Sequence, residues 1–126
     1  MDEVVAEWIK FSEKDLETAK HLYKTMHPKP LEIICYLCQQ SSEKTLKAFL
    51  IYWEVKPEKT HDLELLRSEC WKVDDSFGDI IKECALLNRY SSQPRYPFEI
   101  QVTDNDALSA LQDSEKISEF IKGKIS

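Results

Sequence analysis

Glycine is almost absent from this chain, and that shortage constrains the fold more than any other feature. Only Gly78 and Gly123 occur in 126 residues, whereas the tight turns of β-hairpins lean on Gly, Asn-Gly or Asp-Gly to reach positive φ. A sheet-rich fold has little turn chemistry to work with here. Proline gives the complementary signal. Pro28, Pro30, Pro57, Pro94 and Pro97 all fall between stretches with helical spacing, where a residue without an N–H and with a fixed φ ends a helix. The prolines cut the chain into helices.

The first segment, about Asp2 to Met26, places Val5, Trp8, Ile9, Ser12, Leu16, Ala19, Tyr23 and Met26 at steps of three and four, one apolar stripe. The second, about Leu31 to Val55, carries Ile34, Leu37, Cys38, Ser41, Thr45, Ala48, Phe49 and Tyr52 on one face. Cys35, Ser42, Leu46, Leu50 and Trp53 lie beside them, so the apolar face is wide with a waist of small residues. Such a helix suits a central position against which others pack closely. Thr60 is the expected N-cap of a short helix to about Trp71 that buries Leu63, Leu66 and Cys70. Asp74 or Asp75 caps a fourth helix with Phe77, Ile80, Ile81, Cys84 and Leu87 on one side. Asn88 to Thr103 has no helical period and reads as a long loop, a kind of segment that is often functional. The last helix starts near Thr103, which with Asp106 approximates a capping box, and buries Ala107, Leu108, Leu111, Ile117 and Ile121. The expected fold is all-α, an up-and-down bundle of about five helices.

At 14.8 kDa the chain fits a single domain over residues 1–126. No apolar run approaches the roughly 20 residues that cross a bilayer, so no membrane association is expected. The start Met1-Asp2-Glu3 lacks the basic and then apolar pattern of a secretory signal, and the expected compartment is the cytoplasm. A net charge of −6 argues against extended nucleic-acid binding, which needs clustered Lys and Arg. Cys35 and Cys38 form a CxxC, but no second CxxC or His pair completes a metal set, and the motif falls inside a helix rather than after a strand. With Cys70 and Cys84 they read as small apolar packing residues, and neither a metal nor another cofactor is expected.

Three places could carry chemistry. Tyr36, Gln40, Glu43, Lys44 and Lys47 share a narrow polar arc of the second helix, opposite its apolar face at 100° per residue. They could hold a phosphate and a base; equally, they could form a solvated face with a Glu43–Lys47 pair at i,i+4. The late loop offers Arg89, Tyr90, Arg95 and Tyr96, suited to an anion or RNA contact, or to pinning the loop on the bundle with buried phenol rings. His61, followed by Asp62, reads as a general base or phosphate donor, or as a helix-terminus device. With isolated glycines there is no phosphate-cradling loop, and no HExxH or nucleophile elbow occurs.

Four segments taken together carry a resemblance. They are Trp8 with Asp15-Leu16-x-x-Ala19; the run Cys35-Tyr36-Leu37-Cys38-Gln39-Gln40-Ser41-Ser42-Glu43-Lys44-Thr45-Leu46-Lys47-Ala48; Thr60-His61-Asp62-Leu63 with Leu66; and Leu87-Asn88-x-Tyr90 followed by Arg95-Tyr96-Pro97. Their order and spacing resemble the HEPN family (higher eukaryote and prokaryote nucleotide-binding) over nearly the whole chain. The resemblance implies a helical bundle that commonly dimerises and supplies a nucleotide or substrate site to a separately encoded nucleotidyltransferase. It marks Gln40, Lys44, Lys47, His61, Arg95 and Tyr96 as candidate nucleotide-binding positions, with ATP as an example ligand. Other members are metal-independent ribonucleases, often toxins, with a His four to six residues after an Arg late in the bundle. This chain departs from that motif, because no His follows Arg89 or Arg95 and the last histidine is His61. The resemblance therefore implies an accessory binding module, with a ribonuclease or a pure protein-interaction domain as the alternatives.

Overall fold

The computed structural model of the protein describes residues 2–92 and 101–125. Those residues form an all-α bundle of five helices with no strand among them. The helices are α1 (Glu3–Thr25), α2 (Leu31–Tyr52), α3 (Leu63–Val73), α4 (Ile81–Leu87) and α5 (Asp104–Lys122). No helix of the described residues is long and apolar enough to cross a membrane.

α2 is the central element, packed against each of the other four helices. Its small-residue waist explains how neighbours come so near. On the α1 side the Ser12 hydroxyl donates to the Ser41 carbonyl at 2.9 Å, and the Ser41 hydroxyl donates back to the Ser12 carbonyl at 2.8 Å. Thr45 Oγ1 completes that seam against Ser12 and the Ser41 carbonyl. On the α5 side Ser42 and Ser114 hydroxyls meet at 3.1 Å, and Ser114 also donates to the Cys38 carbonyl. Hydroxyls with a backbone carbonyl in reach are satisfied without water, so both seams stay buried at no unpaired polar cost. Phe49 packs against Phe77 with ring centroids 4.5 Å apart and the rings tilted by 53°.

The helix ends follow from local chemistry. Asp2 accepts from the Val5 N–H at 2.9 Å to start α1. Thr103 and Asp106 form a reciprocal capping box at α5, with bonds of 3.1 and 3.0 Å. α2 closes in a Schellman pattern: Val55 N–H bonds to the Leu50 carbonyl and Glu54 N–H to that of Ile51, with Glu54 at φ 60° in the left-handed region where glycine is usual.

Several sequence expectations are corrected. Asp62, not Thr60, caps α3; its carboxylate takes the Glu64 and Leu65 N–H groups, while Thr60 Oγ1 accepts from the Asp62 N–H. The fourth helix opens as a 3₁₀ segment, Asp75–Ile80, because Asp74 binds Ser76 through the side chain and its carbonyl takes the Phe77 N–H three residues on. The tighter turn changes the helical phase, so Ile81 faces outward instead of joining the stripe. Met26 and Trp53 are exposed because each is the C-cap residue where the chain leaves its helix, and Leu108 lies just off the Ala107–Leu111 stripe. The segment read as a loop from Asn88 begins with a 3₁₀ turn, Asn88–Tyr90, whose Tyr90 ring is buried.

Candidate functional site

The polar arc of α2 is not the solvated face that helical projection suggests. α1 and the α2–α3 connection cover its flanks, and the Glu43 side chain is left only 6% exposed. A carboxylate taken that far out of water must be compensated by partners. Its Oε2 accepts from Lys47 Nζ at 2.9 Å, one helical turn along, so the i,i+4 pair forms. Its Oε1 accepts from His61 Nδ1 at 2.8 Å. Gln40 Nε2 lies 3.5 Å from the same oxygen and donates to Gln39 Oε1 at 2.8 Å.

His61 is fixed by the backbone on both sides. The wholly buried Gln39 donates through Nε2 to the His61 carbonyl at 2.8 Å. The next residue, Asp62, caps α3 and also accepts from Asn88 Nδ2 at 3.0 Å, while Asn88 Oδ1 accepts the Leu63 N–H at 2.9 Å. The ring itself is 69% exposed. With Nδ1 committed to Glu43, Nε2 is the nitrogen left to meet a ligand or proton. The two sequence readings of the His61-Asp62 start coexist: Asp62 is the terminus device, and His61 is a histidine oriented by a carboxylate.

Lys44 turns towards α1, where Asp15 pairs with it. Lys47 Nζ stands 5.9 Å from the Trp8 ring centroid as well as on Glu43. Both ammonium groups are thus neutralised by carboxylates, yet each has three N–H donors and can add a phosphate oxygen to its existing partner. Gln40, Lys44, Lys47 and His61 gather on this face. Arg95 and Tyr96 lie outside the described residues. Arg89 is held by its own turn, donating to the Leu86 carbonyl at 3.1 Å and to Tyr90 Oη at 2.7 Å. Burial raises the Tyr90 phenol to about 12 and the neighbouring Cys35 thiol to about 11. Among the described residues no group of three or more His, Cys, Asp or Glu side chains could hold a metal ion.

Sequence reasoning missed the hub. Glu43 was expected only as the i,i+4 partner of Lys47, not as the partner of His61, and Gln39 and Asn88 were not singled out as site residues. The only signal for them was that all three fall inside the segments carrying the resemblance.

That resemblance is borne out by comparison with known proteins: the model of the HEPN domain matches residues 5–124. The chain belongs to the HEPN domain family. A protein of Methanocaldococcus jannaschii named "Putative toxin MJ1304" is 32% identical to this HEPN chain over 130 aligned positions, covering 91% of this chain and 84% of that protein. The crystal structure of ST0689, an archaeal HEPN homologue, has a TM-score of 0.77 at 26% identity, with both chains covered in full. TT1696 from Thermus thermophilus shares the fold, with a TM-score of 0.81 at 20% identity over 96% of this chain and 98% of its own. In this HEPN chain the Gln39–Lys47 run and the Thr60–Leu63 segment are what build the Glu43 cluster.

Proposed function

We propose that this HEPN domain, one unit over residues 1–126, is an accessory module. It binds a nucleotide on the polar face of α2 and acts as a homodimer with a separately encoded nucleotidyltransferase. The supporting observation is the Glu43 cluster: the buried Glu43 carboxylate holds Lys47 and His61, and Asp15 of α1 holds Lys44, as donors along one side of α2 with the Gln40 amide among them. Pre-positioned cations beside an amide suit a phosphate and a polar base. Arg95 and Tyr96, from the segment before α5, are the further candidate contacts. The toxin name of the archaeal relative adds a neutralising partner protein to this reading, a role the nucleotidyltransferase would fill.

Calorimetric titration with ATP, GTP and their monophosphates tests it. Saturable binding that is lost in a folded Lys44→Ala/Arg95→Ala variant is the expected result. No heat with any nucleotide overturns the nucleotide site and leaves a protein-interaction domain.

One observation favours a second reading. His61 presents Nε2 outward on a carboxylate-held ring, the arrangement of a general base, and the relative is named as a toxin. A metal-independent ribonuclease built on His61 would cut RNA in a metal chelator and lose that activity in His61→Ala. RNA left intact after prolonged incubation ends this reading.

A further inference from the structure

α1 carries two apolar stripes, and packing against α2 uses only one of them. Val5, Ile9, Ser12 and Leu16 are buried in the bundle, whereas Val4 and Phe11 are exposed and, with the half-buried Trp8 that packs on the edge of the core, line an open groove at i, i+4 and i+7. Val4 is 55% and Phe11 50% exposed. The groove has a volume of about 480 Å³, within the range of small-molecule clefts. Lys44 of α2 and Glu3 and Glu7 of α1 also line it. Lys44 is therefore shared between the groove and the Glu43 cluster, and Lys47 touches both through Trp8.

The charged lining residues differ in chemistry. Lys44, already paired with Asp15, keeps further N–H donors for an anion. Glu3 and Glu7 are like charges at i,i+4, an arrangement that weakens a helix slightly, and neither is ion-paired among the described residues. Carboxylates placed there accept from N–H groups and repel phosphate. Trp8 and Phe11 add aromatic faces on which a base can stack. Lys14 Nζ lies 5.3 Å from the Phe11 centroid at the surface, on a flexible stem that an incoming ring can displace.

We infer that this groove is the base subsite of the nucleotide site: it takes a nucleobase bearing an exocyclic amine, stacked on Trp8, with its amine on Glu3 or Glu7 and its phosphates directed to Lys44 and Lys47. The inference rests on the nucleotide reading above and adds a direction and a selectivity to it. Adenine, guanine and cytosine carry such an amine; uracil does not.

The test compares GTP, ATP, UTP and inorganic triphosphate by calorimetry on the intact chain. ATP and GTP should bind more tightly than UTP or triphosphate. Trp8→Leu should weaken ATP binding about ten-fold, as loss of one stacking contact does, and leave triphosphate binding unchanged. Phe11→Ser, at a half-exposed ring, should act in the same direction without touching the core. Glu3→Ala/Glu7→Ala should abolish the preference for amino bases over UTP. If triphosphate and UTP bind as tightly as ATP and GTP, or if both aromatic variants bind ATP like the parent, the groove is not the base site while the polar face of α2 stands. If neither triphosphate nor any nucleotide binds, both readings fall together.

Discussion

Asp74 ties three parts of the chain together through one carboxylate. It follows α3, accepts from the Ser76 hydroxyl at 2.6 Å and the Ser76 N–H at 3.0 Å, and pairs with Lys124 at 2.9 Å. The Ser76 hydroxyl first, then Lys124 and the Ser76 N–H, hold its carboxyl down at about 2. The folded value lies below the roughly 3.9 of an unfolded aspartate, so the stabilisation is complete above about pH 5 and disappears as the pH falls through 2. Asp74→Ala should therefore lower the urea midpoint at pH 7, with the gap to the parent closing towards pH 2. A gap that stays constant with pH would show that the carboxylate charge is not what matters. At this scale the sequence was least legible. The Ser76 contact is local and could be anticipated from an Asp before a short helix, but Lys124 is 50 positions away. The same holds for Glu43 with His61 and for Asp62 with Asn88, since a contact between distant residues leaves no periodic trace in one sequence.

The seams of small residues set how closely the helices approach. Ser41 is fully enclosed by α1, exchanging hydroxyl-to-carbonyl bonds with Ser12. Ser41→Leu would force α1 outward and break those bonds, at a cost of about 3 kcal/mol, the upper range for overpacking a close contact. Urea unfolding measures it, and a loss under about 0.5 kcal/mol would mean that the seam tolerates separation. Elements with long, regular stripes were legible: α1, α2 and α5 are found within a few residues of their expected bounds, and the Thr103–Asp106 box is present. The short segments were less so. Thr60 and Asp62 are both acceptable caps, and the choice is made by Asn88, which the fold brings to Asp62. Around Gly78 the stripe is too brief to distinguish an α-helix from the 3₁₀ turn that Asp74 induces. Gln40, Glu43 and Lys47 of the polar arc do share one side of α2, but that side is covered by neighbouring elements instead of facing solvent. Projection shows which residues share a side, not what covers that side.

Seen as a whole, the bundle keeps its four thiols out of reach. Cys35, Cys38, Cys70 and Cys84 have no exposed surface, and burial raises every one of them, Cys35 to about 11 and Cys84 to about 12. A disulfide reagent at pH 8 should modify none of them in the native state. All four should react together, at a rate that follows unfolding across a urea series; fast labelling of one thiol without urea would reveal a local opening. The central place of α2 also bears on how the bundle assembles in time. Five residues, 26–30, join α1 to α2, whereas α5 returns to α2 only after the 51 residues numbered 53–103. Closing the short connection sacrifices less chain entropy, so the α1–α2 hairpin should form early and α5 should dock late. Substitutions in the Ser12–Ser41 seam should then slow refolding, and those in the Ser42–Ser114 seam should mainly quicken unfolding. Two hydroxyl contacts at adjacent positions of one helix, each facing a different neighbour, would thereby control opposite arms of the same chevron.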